Sequence, residues 1–81
     1  MGIKEKLREI LAEIFDVGPD DIHAGTTFEE LGADELDFVE LAWIFEDEFD
    51  TGAIDASELG GLDTVGQMQM YIQRKVNTPG E

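Results

Sequence analysis

No cysteine occurs in the 81 residues, which excludes disulfides, thiolate metal sites and thiol catalysis at the outset. Positive charge is almost as scarce: Lys4, Lys6 and Arg8 stand near the start and Arg74 and Lys75 near the end, with no Lys or Arg between Glu9 and Gln73. Set against 20 acids, these five bases leave a formal net charge of −15. A field of that sign repels phosphate backbones and anionic lipid, so nucleic-acid and membrane-surface roles are disfavoured. Basic protein patches and divalent cations are the partners it favours. Long apolar runs are missing too, which argues against a membrane span, and the start "MGIKEKLREI" lacks the apolar stretch of a secretory signal. Gly2 is followed by Lys6 where myristoylation wants Ser or Thr, so a soluble cytoplasmic protein is expected.

Groups for catalysis are few. His23 is alone in a loop, where surface and capping roles are the common ones, and no Walker or Rossmann glycine pattern occurs. Glu35 with Asp34 or Asp37 makes a pair of carboxylates, but on an exposed helix start with no cavity expected around it. The chain is therefore read as a non-enzyme. Its 42% hydrophobic content is too high for a disordered acidic tail, and its length suits one small domain over residues 1–81.

The apolar pattern is helical. Ile3, Leu7, Ile10, Leu11 and Ile14 predict a helix over 3–16, stopped by Gly18 and Pro19. The stretch "DVGPDDIHAGTTFEELGAD" reads as a long ordered loop, with Val17, Ile22, Phe28 and Leu31 as its anchors. Asp34 is an N-cap for a second long helix from Glu35 to about Asp50. Phe38, Leu41, Phe45 and Phe49 step by three, four and four along that helix and form its core face. A short helical turn follows around Ala56 to Leu59, closed by Gly60 and Gly61. Asp63 or Thr64 caps a last helix carrying Val65, Met68, Ile72 and Val76, and Pro79 and Gly80 end it. Met68 and Met70 are expected to fill core and groove. Nothing predicts a β-hairpin. The expected fold is all-α, a bundle of three longer helices and one short one.

The second long helix carries a further apolar set, Leu36, Val39 and Trp43, on a different face. Either it packs on another helix or it is an exposed strip rimmed by Glu35, Asp37, Glu40, Glu46 and Asp47, with Trp43 as an anchor for a partner.

The segment "FEELGADELDFVEL" resembles the signature of acyl carrier proteins, in which a Phe-x-x-Leu-Gly loop leads into Asp-Ser-Leu and an acidic helix. "VGPDDI", "TTF", "FEDEF" and "DTVGQMQMYI" extend the likeness over nearly the whole chain. The resemblance implies a four-helix carrier holding acyl chains as thioesters on a phosphopantetheine arm, and docking on fatty-acid or polyketide pathway enzymes. It places Glu35 at the position of the attachment Ser, with Asp34 before it and Leu36 and Asp37 after it. It also implies that basic patches of partner enzymes read Glu40, Glu46 and Asp47, with Val39 and Trp43 between them. A monomer is expected.

Glu35 departs from that pattern. Attachment needs a hydroxyl to attack phosphorus, which a carboxylate does not supply. Ser57, in "IDASELG", is the only serine and is expected to lie well away from the helix start, so the chain as written is expected to remain without an arm. Glu35 is read in three ways: a replacement locking an ordinary carrier in its unmodified form, a residue of a carrier relative that serves as scaffold or regulator, or a first-turn acid favoured by the helix dipole.

A reading from another class is "DEFDTGAIDASE", which echoes an EF-hand calcium loop from Asp47, with Gly52, Ile54, Asp55 and Glu58 in register. Phe49 and Thr51 fall on ligand positions, and Phe49 cannot ligate. Looser binding of calcium or magnesium would use Glu46, Asp47 and Asp50.

The like charges of the central region predict that added salt or magnesium raises the melting temperature, through screening or binding. Thermal denaturation at low and high ionic strength checks this, and superimposable curves would show that the charges matter little.

Overall fold

The computed structural model describes residues 2–76. Helix α1 spans Ile3–Phe15, α2 Phe28–Leu31, α3 Glu35–Glu48, α4 Ala56–Gly60 and α5 Val65–Val76, with a single 3-10 turn at Pro19–Asp21. The fold is the expected helical bundle, in which α1, α3 and α5 are the long members. Among the described residues the only β pairing is an isolated antiparallel bridge between Thr27 and Thr64.

The helix ends follow from local chemistry. α1 ends within one residue of the expected 3–16 span, where Asp16 takes the left-handed conformation (φ 57°), and Gly18 and Pro19 follow it. Pro19 opens the 3-10 turn, as its fixed φ and missing N–H permit. α3 ends two residues short of the expected Asp50, because Phe49 turns to an extended backbone that buries its ring. The last helix is capped by Thr64, whose hydroxyl accepts from the Gln67 N–H at 3.2 Å, while Asp63 donates its own N–H to the Gln67 side chain. The expected stop at Pro79 and Gly80 lies outside the described residues.

The long loop is more structured than expected, since it contains α2. Thr27 accepts from the Glu30 N–H at 3.2 Å, and Glu30 accepts from the Thr27 N–H at 3.1 Å and from its hydroxyl at 3.0 Å. This reciprocal cap is written in the sequence as Thr-x-x-Glu. Gly32 then closes the turn at φ 77°, a conformation that favours glycine. Ile22 and Phe28 are buried as anchors, while Val17 and Leu31 pack half-buried against the core.

Leu7 and Leu11 of α1, Leu41 and Phe45 of α3, Leu59 of α4 and Met68 and Ile72 of α5 meet in one core. Each such side chain contributes roughly 1.5–3 kcal/mol by leaving water. The two loops that precede α2 and α5 are tied across the bridge, by Phe28 N–H to the Asp63 carbonyl at 3.0 Å and Val65 N–H to the Thr26 carbonyl at 2.9 Å. Gly66 N–H also donates to the Ala24 carbonyl at 2.9 Å, and a Cβ at Gly66 would stand 3.1 Å from that oxygen. The glycine of the "DTVG" segment thus permits a close approach of loop to helix start.

The hydrogen bonds from the Thr27 backbone and then its hydroxyl hold the Glu30 carboxyl below its ordinary value of 4.5. A carboxylate favoured in the fold stabilises above its unfolded pKa and loses that contribution as pH falls through the lowered folded pKa. Glu30→Gln should therefore melt below the parent chain at neutral pH, and the gap should close as pH drops below the ordinary carboxylate range. Paired melting curves from pH 7 downward test this, and a gap that persists in acid would show that the charge is not responsible.

Candidate functional site

The first turn of α3 is organised by two aspartates that cap each other. Asp34 Oδ1 accepts from the Asp37 N–H and Asp37 Oδ2 accepts from the Asp34 N–H, both at 3.0 Å. Glu35 lies between them and takes no part in the cap. Among the described residues its side chain has no hydrogen-bond or ion-pair partner, and it is exposed. The reciprocal cap therefore forms without the Glu35 side chain.

Beside Glu35 a cleft of about 570 Å³ opens between α3 and α4, lined by Ala33, Asp34, Glu35, Phe38, Val39, Ala56, Ser57 and Gly60. Two expectations are corrected here. The helix start does border a cavity, and Ser57 does not lie well away from Glu35, because α4 folds back on α3 and brings both to one cleft. Sequence separation concealed this. Ser57 is already engaged: its hydroxyl donates to Asp55 Oδ1 at 2.8 Å and its N–H donates to the same oxygen at 2.9 Å. These bonds, the hydroxyl's first, hold the Asp55 carboxyl below the usual carboxylate range.

The core face of α3 is formed largely as expected, with Leu41, Phe45 and Phe49 buried. Phe38 differs: it is half-buried, meets the Phe28 ring edge-on at 5.6 Å and turns part of its surface to the cleft. On the other face Leu36 is 75% and Trp43 67% exposed, which decides the open question about that strip. Val39 is half-buried because it also forms a wall of the cleft. Glu40, Glu46 and Asp47 are exposed along the same helix.

Glu46 has an engagement that spacing did not reveal. Its Oε2 accepts from the Ile54 N–H at 2.7 Å, tethering the α3–α4 connection back onto α3. Phe49, which falls on a ligand position of the EF-hand register, is buried in the core. Among the described residues no three His, Cys, Asp or Glu side chains are grouped so as to hold a metal ion, so Glu46, Asp47 and Asp50 are not brought together in that way.

α4 is fastened from its far side as well. The Tyr71 hydroxyl donates to Glu58 Oε1 at 2.6 Å, and Lys75 Nζ lies 5.6 Å from the centre of the Tyr71 ring. Burial, followed by the bond to the Glu58 carboxylate, pushes the Tyr71 phenol well above its ordinary range. Met68 is buried in the core, whereas Met70 is exposed beside a shallow groove formed with Leu62, Gln67, Tyr71 and Arg74. His23 is exposed near Lys4 and Arg8. No described helix is long and apolar enough to cross a membrane.

Comparison with known proteins agrees with this geometry. A family model described as the phosphopantetheine attachment site matches residues 5–72. The acyl carrier protein of Streptococcus thermophilus (strain CNRZ 1066) is 39% identical over 75 residues, covering 93% of this chain and 97% of that one. The acyl carrier protein of Bdellovibrio bacteriovorus is 38% identical over 76 residues, covering 93% and 96%. The acyl carrier protein of Streptococcus pyogenes serotype M1 is 36% identical over 75 residues, covering 93% and 97%.

Proposed function

The chain belongs to the acyl carrier protein family, whose members are carriers and not enzymes, and on that premise we propose an armless module that docks on pathway enzymes through α3. Its family role is acyl transport in biosynthesis of the fatty-acid or polyketide type, and phosphopantetheine is the family's arm. The residues at the motif of this chain do not fit that arm. Position 35 offers a carboxylate where the Asp-Ser-Leu frame needs a hydroxyl, and the one serine at the cleft is bound to Asp55 from outside the frame.

The observation that carries the docking reading is the exposure of Leu36 and Trp43 amid the acids of α3. A large aromatic on a surface strip, ringed by charges of one sign, suits an interface with an apolar anchor and a basic rim on the partner. Asp34 and Asp37 support the motif turn, Leu36, Val39 and Trp43 supply apolar contact, and Glu40, Glu46 and Asp47 attract the partner's cations. The reading includes a cytoplasmic monomer. A scaffold or regulatory relative is the second form of the same proposal, and a first-turn acid favoured by the helix dipole is compatible with either form.

Intact mass after incubation with coenzyme A and a broad-specificity phosphopantetheinyl transferase tests the armless state. The unaltered chain should gain nothing and Glu35→Ser should gain one arm. Modification of the unaltered chain would overturn the reading, and failure of both would favour the scaffold form. Docking is tested on the same transferase by titration calorimetry. Trp43→Ala should weaken binding about thirtyfold or more, the level of a hot-spot truncation. Affinity should also fall steeply as salt rises, and indifference to both changes would remove α3 as the docking surface.

A further inference from the structure

With 20 acids against five bases, every cation of this chain has carboxylates to choose from. Lys6 takes Glu48 at 3.0 Å, Lys75 lies over the Tyr71 ring, and Arg74 is engaged as well. Lys4 and Arg8 differ. Among the described residues neither side chain has a hydrogen-bond or ion-pair partner, and the same holds for the His23 ring. These three side chains border one depression together with Gln69 of α5, and no acid lines it.

The fold builds this convergence. Lys4 and Arg8 stand one turn apart on α1, where residues four apart are neighbours. His23 is brought to them by a pinned loop. Ile22 before it is buried, the His23 N–H donates to the Thr26 hydroxyl at 2.9 Å, and the Thr26 N–H donates to the His23 carbonyl at 3.0 Å. Thr26 is itself buried, and its carbonyl accepts from the Val65 N–H of α5. Leu7, Ile22 and Val65 floor the depression, whose volume of about 10 Å³ leaves no room for a ligand's body. A ligand there is held at the rim, by charge and by N–H donors. Donors with no carboxylate among them select an anion, and donors from separate elements suit the three oxygens of one phosphate group. Exposed Glu5, Glu9, Asp20 and Asp21 flank these positions in sequence, so an extended polyanion meets repulsion that a small one avoids.

We propose that Lys4, Arg8 and His23, with Gln69, form a reversible site for the phosphate group of a small free phosphate monoester or pyrophosphate. None of these residues belongs to α3, and the site is independent of what position 35 carries.

The experiment is an amide-shift titration of the full chain at about pH 7.5, where a phosphate monoester is a dianion. The probes are methyl phosphate, pyrophosphate and succinate, in metal-free buffer held at constant ionic strength with sodium chloride. Methyl phosphate and pyrophosphate should bind saturably in the millimolar range, as a few exposed ion pairs supply, with shifts centred on Arg8, His23 and Gln69. Succinate, whose two carboxylates are separated, should bind more weakly than either. Lys4→Gln and Arg8→Gln should each weaken methyl phosphate about two- to fivefold while keeping helical circular dichroism. Lys6→Gln removes the same charge from the other flank of α1 and should leave binding unchanged.

Succinate binding equal to that of methyl phosphate overturns the proposal, since the cluster would then answer to charge alone, as for an acidic side chain of another protein. So does a loss at Lys6→Gln equal to that at Arg8→Gln, which would report net charge and no site. Sedimentation with phosphatidylcholine vesicles doped with phosphatidic acid, without binding of free methyl phosphate, would assign the cluster to a membrane and overturn it too. A folded chain with no saturable response to either phosphate probe also ends the proposal.

Discussion

The two-sidedness of α3 is the constraint on which the rest of the molecule depends. Leu41 and Phe45 are buried in the common core, while Leu36 and Trp43 of the same helix stand exposed. The buried side must hold the bundle together against a net charge of −15, with little help from ion pairing. Lys6 and Glu48 meet at 3.0 Å, but both are well exposed, and such pairs contribute little. Apolar burial is thus the term that tolerates so acidic a surface.

The ends of α3 are set by short-range hydrogen bonds that leave particular side chains available. At its start the aspartate pair closes the cap and releases Glu35. At its end Phe49 turns into the core, and Glu46 reaches forward to the Ile54 N–H. That second bond returns the chain toward α3, so that α4 packs alongside it and forms the other wall of the cleft. Tyr71 then secures α4 to α5 through Glu58. The cleft is consequently a product of three connections, none of which involves Glu35. A change at position 35 alters the chemistry of the cleft and leaves its walls in place.

Much of the architecture was readable from local pattern. The apolar spacing of the three long helices and the chemistry of the caps are short-range properties, and a helix start needs only a few neighbouring residues to be specified. α2 was overlooked although its Thr27-x-x-Glu30 cap stood in the sequence, because four residues are too few for any periodicity to emerge. The end of α1 falls within one residue of the expected 3–16 span, and what the composition did not announce is that Asp16, a non-glycine residue, takes the left-handed conformation there.

The sequence by itself determined the helical class, the acidic surface, the carrier-like motif and the carboxylate at position 35, since each is a matter of residue identity and spacing along one stretch of chain. Only the tertiary structure decided that Leu36 and Trp43 face solvent, that Val39 and Phe38 share a cleft, and that Ser57 joins Glu35 there. Those facts depend on how α4 docks against α3, and docking is governed by side chains distant in sequence that compete for one core. Periodicity reports which residues share a face of a helix. What lies opposite that face is a property of the packed whole.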